Sequence, residues 1–215
     1  MKLISGPLSM FGAKAQIAIA EKGIDCEIEM VPFSLQHRYT PLHSDVERLN
    51  PKKQVPLLLD GEVEIFDSTQ IFEYLEHKFP SPALWPENTV RRAQARLLEL
   101  KSDEVFFQDF KTLMTAAGNT GTPEAQAAIA SMDRYYEEID GLLVSGDWLA
   151  GSYSYADIAF FCATWFASIL GGAPRPVFRH LAAWQRRMAE RPAVSGTTQE
   201  ISAFLTQNGV PVPAV

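Results

Sequence analysis

Two short runs in this chain carry residue types suited to holding a small peptide and activating it. The first is Gln54-Val55-Pro56, followed by Asp67-Ser68 at the head of an amphipathic stretch. A proline at the mouth of a strand leaves neighbouring backbone N–H and C=O groups open to an extended ligand. A serine at a helix start offers a hydroxyl and the orphan N–H groups of the first turn to a carboxylate. Asp67 beside it suits an amine. Together they fit a short peptide with a free carboxylate and a free amine at one end. The second run is Ser5-Gly6-Pro7-Leu8-Ser9-Met10-Phe11, with Ser9 between a strand and a helix. A hydroxyl there, backed by a helix N-terminus, can stabilise a thiolate. Each run also has a plainer reading. Pro56 would be a trans proline opening a strand, Asp67 or Ser68 a helix cap, and Ser9 the cap of its own helix.

The elements around these runs must position them. Lys2 to Ser5 reads as a strand. Phe11 to Lys22 has apolar residues at helical spacing and ends at Gly23, and Asp25 to Val31 alternates as a half-buried strand does. Ser34 to Asn50 is polar and irregular, with one helical turn around Asp45 to Leu49. Pro56 to Leu59 and Val63 to Phe66 flank Asp60-Gly61, a hairpin signal. Ser68 to Phe79 is helical. Pro80-Ser81-Pro82 breaks the pattern. The expected organisation is an α/β domain over 1–79, a linker over 80–87 and an all-α domain over 88–215. The helices of the second domain are expected at Asn88 to Ala116, Pro123 to Val144, from Ser154, about Val177 to Glu190, and about Thr198 to Leu205.

The order β-α-β-x-β-β-α, then a linker and a helical domain, resembles the cytosolic glutathione transferase family over nearly the whole chain, in a bacterial, serine-type form with theta-like features. The resemblance implies a thioredoxin-like N-terminal domain and an all-helical C-terminal domain. It implies that Val55-Pro56 is the family's cis-proline step, with Val55 exchanging backbone hydrogen bonds with the cysteinyl part of glutathione. Asp67 and Ser68 would receive the γ-glutamyl end. Ser9 would donate a hydrogen bond to the glutathione sulfur; Ser5 is a weaker candidate for that role. Thiol–disulfide exchange is excluded, because Ser9-Met10-Phe11-Gly12 stands where related redox proteins carry C-x-x-C. No tyrosine occurs before Tyr39, which excludes a tyrosine-type site on the first loop. Gln36-His37 resembles the theta-like Gln-His; His37 and Gln54 would contact the glycyl carboxylate. The implied partners are glutathione as co-substrate, a small hydrophobic electrophile and a second copy of the chain, with no metal. Isomerisation, dehalogenation or ether cleavage would use the same site, and a non-enzymatic module would keep the fold alone.

Bulk properties narrow the field. The chain has 215 residues, 47% hydrophobic and 21% charged, with a net charge of -7. That composition suits a folded globular protein, and the lack of a basic run argues against nucleic-acid binding. Cys26 and Cys162 are far apart and read as reduced thiols in a cytoplasmic protein. The N-terminal residues lack the apolar core of a secretory signal. The longest uncharged apolar run, Ile158 to Gly172, is shorter than the roughly 20 residues a membrane span needs. Ser154-Tyr155-Ala156-Asp157 has the form of a capping box, expected to serve folding. Phe106, Phe107, Phe110, Met114, Tyr153, Trp165 and Phe166 are core or pocket candidates. Arg91, Arg92 and Arg96 read as a solvated helix face.

Overall fold

The computed structural model describes residues 1–213. These form two compact units: Met1–Ala83 with Gly196–Phe204, and Leu84–Ser195 with the residues from Leu205 on. The first unit contains β1 (Lys2–Ser5), α1 (Met10–Glu21), β2 (Glu27–Met30), α2 (Ser44–Leu49), β3 (Leu57–Asp60), β4 (Val63–Phe66) and α3 (Ser68–Lys78). Its sheet has the order β2-β1-β3-β4. β1 and β2 are parallel, as a crossover through α1 requires, while β3 is antiparallel to both β1 and β4. Gly61 adopts φ +65 in the β3–β4 turn, a conformation natural to a residue without Cβ.

Alternation along the strands explains the two-sided core of this unit. Leu3 and Leu58 face Ala15 and Ile19 of α1 and Ile71 and Leu75 of α3. Ile4 and Leu57 face the other way, against Val31 and Val46. Each leucine, isoleucine or valine among them contributes about 1.5–3 kcal/mol by leaving water. Lys22 closes the end of α1. Its buried ammonium donates to the carbonyls of Phe79 and Pro82, each at 2.8 Å, and pairs with Glu76 at 2.5 Å.

The second unit is helical: α4 (Thr89–Leu100), a π-helical segment (Lys101–Phe106), α5 (Phe107–Thr115), α6 (Pro123–Leu143), α7 (Tyr155–Ile169) and α8 (Arg179–Ala189). A last helix, α9, spans Pro192–Gln207, and its residues are divided between the two units. The expected single helix from Asn88 to Ala116 is thus widened in its middle. There the Ser102 hydroxyl donates back to the Leu98 carbonyl at 3.0 Å, a contact of the kind that bends helices. α9 begins six residues before the expected Thr198, because Pro192 with its fixed φ suits a first helical position. α7 is buried from Tyr155 through Ala167. Around it Phe160 packs on Tyr135 and Trp184, with ring centroids 5.3 and 5.5 Å apart. No helix of the described residues is long and apolar enough to cross a membrane.

Candidate functional site

Strand register decides which loops share an end of the sheet. Ile4 pairs with Leu57, and Leu57 with Phe66, so one row runs across β1, β3 and β4. The chain leaves β1 after Ser5, enters β3 just after Val55-Pro56, and leaves β4 into Asp67-Ser68. The Ser5–Phe11 run, Val55-Pro56 and Asp67-Ser68 therefore emerge at the same end. β2, parallel to β1, also releases its following segment there.

Ser9 is the N-cap of α1 and is 9% exposed. Its hydroxyl accepts from the Gly12 N–H at 3.0 Å. Among the described residues no acceptor takes the hydroxyl proton. No acidic side chain lies in the first turn of α1, so the positive end of the helix is not neutralised from within. Ser5 is different. It is fully buried, and its oxygen accepts from Gln16 Nε2 at 2.8 Å.

Asp67 is the N-cap of α3, its carboxylate accepting from the N–H groups of Thr69 (3.1 Å) and Gln70 (3.4 Å). Its other oxygen lies 3.5 Å from the Lys52 ammonium. Asp67 adopts φ 79, a region that costs a non-glycine residue of order 1–3 kcal/mol. Ser68 is the first residue of α3 and is buried. The Val55–Pro56 peptide bond is cis, as are Thr40–Pro41 and Ser81–Pro82. Val55 is half-buried, and among the described residues its backbone N–H and C=O have no protein hydrogen-bond partner. Gln54 is exposed, and its carbonyl accepts from Asn50 Nδ2 at 2.5 Å. His37 is exposed on the loop after β2, held through its main chain by Ser34 Oγ at 3.0 Å.

Residues 3–83 match the family model of the glutathione S-transferase N-terminal domain, and residues 100–192 match that of the C-terminal domain. The chain belongs to the glutathione S-transferase family. A stringent starvation protein A homolog of Coxiella burnetii is 33% identical over 124 residues, 58% of this chain and 54% of that protein. Glutathione S-transferase Z1 of Arabidopsis thaliana is 39% identical over 93 residues, 43% of this chain and 41% of that protein. The chain thus spans about half the length of these curated relatives. A theta class glutathione S-transferase from Xanthomonas axonopodis pv. citri, solved with glutathione bound, shares the fold. Its TM-score is 0.76 at 24% identity, over 91% of this chain and 95% of that one.

Three contributors to the sheet-end cluster of this glutathione S-transferase family member were not legible as such. Asn50 is buried and ties the 50–55 loop: its side-chain oxygen accepts from Lys52 N–H at 2.9 Å while its amide holds Gln54. Lys52 reaches Asp67 across the chain. Tyr39 brings a hydroxyl back to the first loop, where it accepts from Leu8 N–H at 3.3 Å. Of the pocket candidates, Phe106, Phe110, Trp165 and Phe166 are buried in the helical core. Arg92 donates to the Pro86 carbonyl at 2.9 Å, and the Arg96 guanidinium lies 5.5 Å from the Trp85 ring. Among the described residues no group of three or more His, Cys, Asp or Glu is placed to hold a metal ion.

Proposed function

We propose that this protein is a glutathione transferase, which binds glutathione at the sheet end carrying Ser9, Val55 and Asp67-Ser68 and uses the thiolate to attack a small apolar electrophile. The observation that carries this reading is the half-used hydroxyl of Ser9. It accepts one bond from its own helix and keeps a proton to donate. An unperturbed thiol has a pKa of about 8.5, so most of it is protonated at neutral pH. A hydroxyl donor at a helix N-terminus favours the anion and shifts that balance. The thiol proton goes to solvent, the sulfur forms a bond to the electrophilic carbon, and the leaving group departs with its electron pair.

The peptide would be held by groups at this sheet end. Val55 presents a backbone N–H and C=O to the cysteinyl residue. The γ-glutamyl carboxylate lies at the N-terminus of α3 against Ser68, and Asp67 takes the amine. Gln54 and His37 receive the glycyl end. The strained φ of Asp67 fits a residue held for binding rather than for capping alone.

A second reading is favoured by the relatives named for stringent starvation rather than for a transferase reaction. In it the site binds glutathione without turnover. Calorimetric titration with glutathione, then turnover with an activated aryl halide, separates the two. A transferase binds with a constant in the range of about 1 μM to 1 mM and turns over. Binding without conjugation of several electrophile classes favours the second reading, and no binding defeats both.

A further inference from the structure

We propose that Tyr39 is a second hydroxyl donor to the glutathione sulfur, delivered to the Ser9 loop from the segment after β2. The inference rests on the glutathione site argued above. β1 and β2 run parallel, so the segment after Met30 and the loop after Ser5 leave the sheet at the same end. Tyr39 folds back from there, its ring edge-on to Phe33 with centroids 4.8 Å apart.

The first loop is shaped to receive it. A Cβ on Gly6 would stand 2.4 Å from Tyr39 Cε1 and 2.6 Å from its oxygen, so any larger residue would displace the phenol. The loop closes on itself through Ser9 N–H to the Gly6 carbonyl, at 3.2 Å. Leu8 N–H then donates to the Tyr39 oxygen at 3.3 Å. Consecutive Cα atoms are about 3.8 Å apart, so the Tyr39 hydroxyl is anchored on the residue next to Ser9.

Both hydroxyls are in the same condition. Each accepts one backbone N–H, and among the described residues neither has an acceptor for its own proton. Burial pushes the Tyr39 phenol up to about 12, so it keeps that proton across the physiological range. It is a donor to an anion, not a base. Counting residues on the first loop alone excludes a tyrosine; the fold brings one in from 31 positions along the chain.

The test is the ultraviolet absorbance of bound glutathione thiolate against pH, for the parent and for Tyr39→Phe, alongside the affinity for S-methylglutathione. The methylated ligand has no thiolate to stabilise but needs the same loop. Tyr39→Phe keeps the ring that packs on Phe33. A hydrogen bond to a charged group is worth roughly 1.5–3 kcal/mol, so the ionisation constant of the bound thiol falls about tenfold or more in the variant and its titration moves up by about one pH unit or more. S-methylglutathione affinity stays unchanged. An unchanged thiolate fraction overturns the proposal. So does a parallel loss of S-methylglutathione affinity, which would make Tyr39 a support for Leu8 and nothing more. Failure of the parent to bind glutathione defeats the underlying reading, and this proposal with it.

Discussion

Ser9 and Ser154 both stand at the N-cap of a helix, and their hydrogen-bonding capacity is used in opposite ways. Ser154 opens α7 and is completely buried. Its N–H and hydroxyl both donate to Asp157 Oδ2, at 3.0 and 3.1 Å. Asp157 Oδ1 accepts from Leu149 N–H at 3.0 Å and Trp184 Nε1 at 2.9 Å. That cluster stands without a ligand. Ser9 opens α1 with its oxygen bonded to Gly12 N–H and its proton uncommitted. A complete cap is a folding device, whereas a half-complete cap is available to a ligand. The same residue type is thus fully bonded in one unit and, in the other, keeps a proton for the thiolate of the proposed reaction.

The largest expected effect comes from emptying the complete cap. Asp157→Ala strands four buried donor bonds, and one unsatisfied buried donor already costs about 1–3 kcal/mol. A loss of about 3 kcal/mol or more is expected, read as a lowered urea midpoint. A loss under about 1 kcal/mol would reduce the cluster to an ordinary surface-type cap. Ser9→Ala should behave in the reverse sense. Turnover with an activated electrophile is expected to fall about 100-fold, as when one preorganised donor is removed. Stability should drop by no more than about 1 kcal/mol. If Ser9→Ala unfolded as easily as Asp157→Ala and kept its turnover, the contrast between the two serines would collapse.

How much of this contrast was legible follows from how far apart its parts lie in the chain. The Ser-x-x-Asp spacing announced a cap at Ser154, because both halves sit within one helical turn. The sequence could not announce Trp184, which reaches the same carboxylate from 27 positions away. The β1 strand and the β3–β4 hairpin were readable from alternation and Asp60-Gly61. The sharing of one sheet end by Ser9, Val55 and Asp67 needed the register of Ile4, Leu57 and Phe66. Asp67 and Ser68 were equal candidates for the α3 cap; only the fold shows that Asp67 takes it. Tyr39 and Lys52 act through contacts distant in sequence, which periodicity does not record.

A smaller pair of effects separates the two units by a single methyl group. A Cβ on Gly12 would lie 2.2 Å from Ser5 Oγ and 3.1 Å from the Ser9 side chain. Ser5 is sealed and held by Gln16, so the helix end must move instead. Gly12→Ala is expected to cost about 1–3 kcal/mol and to lower thiolate turnover with it. At Gly141 in α6 nothing lies within 4 Å of the same added atom. Gly141→Ala should therefore gain about 0.5–1 kcal/mol through helix propensity. Thermal midpoints of both variants, moving in opposite directions, check the pair. Equal shifts would mean that helix propensity and not the Ser5 contact governs Gly12.

The last expected effect is a pH slope that belongs to one cap and not the other. Burial pushes the Asp157 carboxyl up to about 6 from its ordinary 3.8, while its bonds from Leu149, Trp184 and Ser154 pull the other way. Between those two values the folded protein holds a proton that the unfolded chain has released. The stability this group contributes is thus complete below about pH 4 and is lost as pH rises through about 6, by up to about 1.4 kcal/mol per pH unit. The first turn of α1 has no acidic residue and so adds no such slope. Urea unfolding of the parent and of Asp157→Asn, which has no proton to take up, isolates the effect. The parent-minus-variant difference should fall across that window. A difference that rises with pH would mean that the donors outweigh burial, making Asp157 an ionised capping carboxylate at every pH where the protein folds.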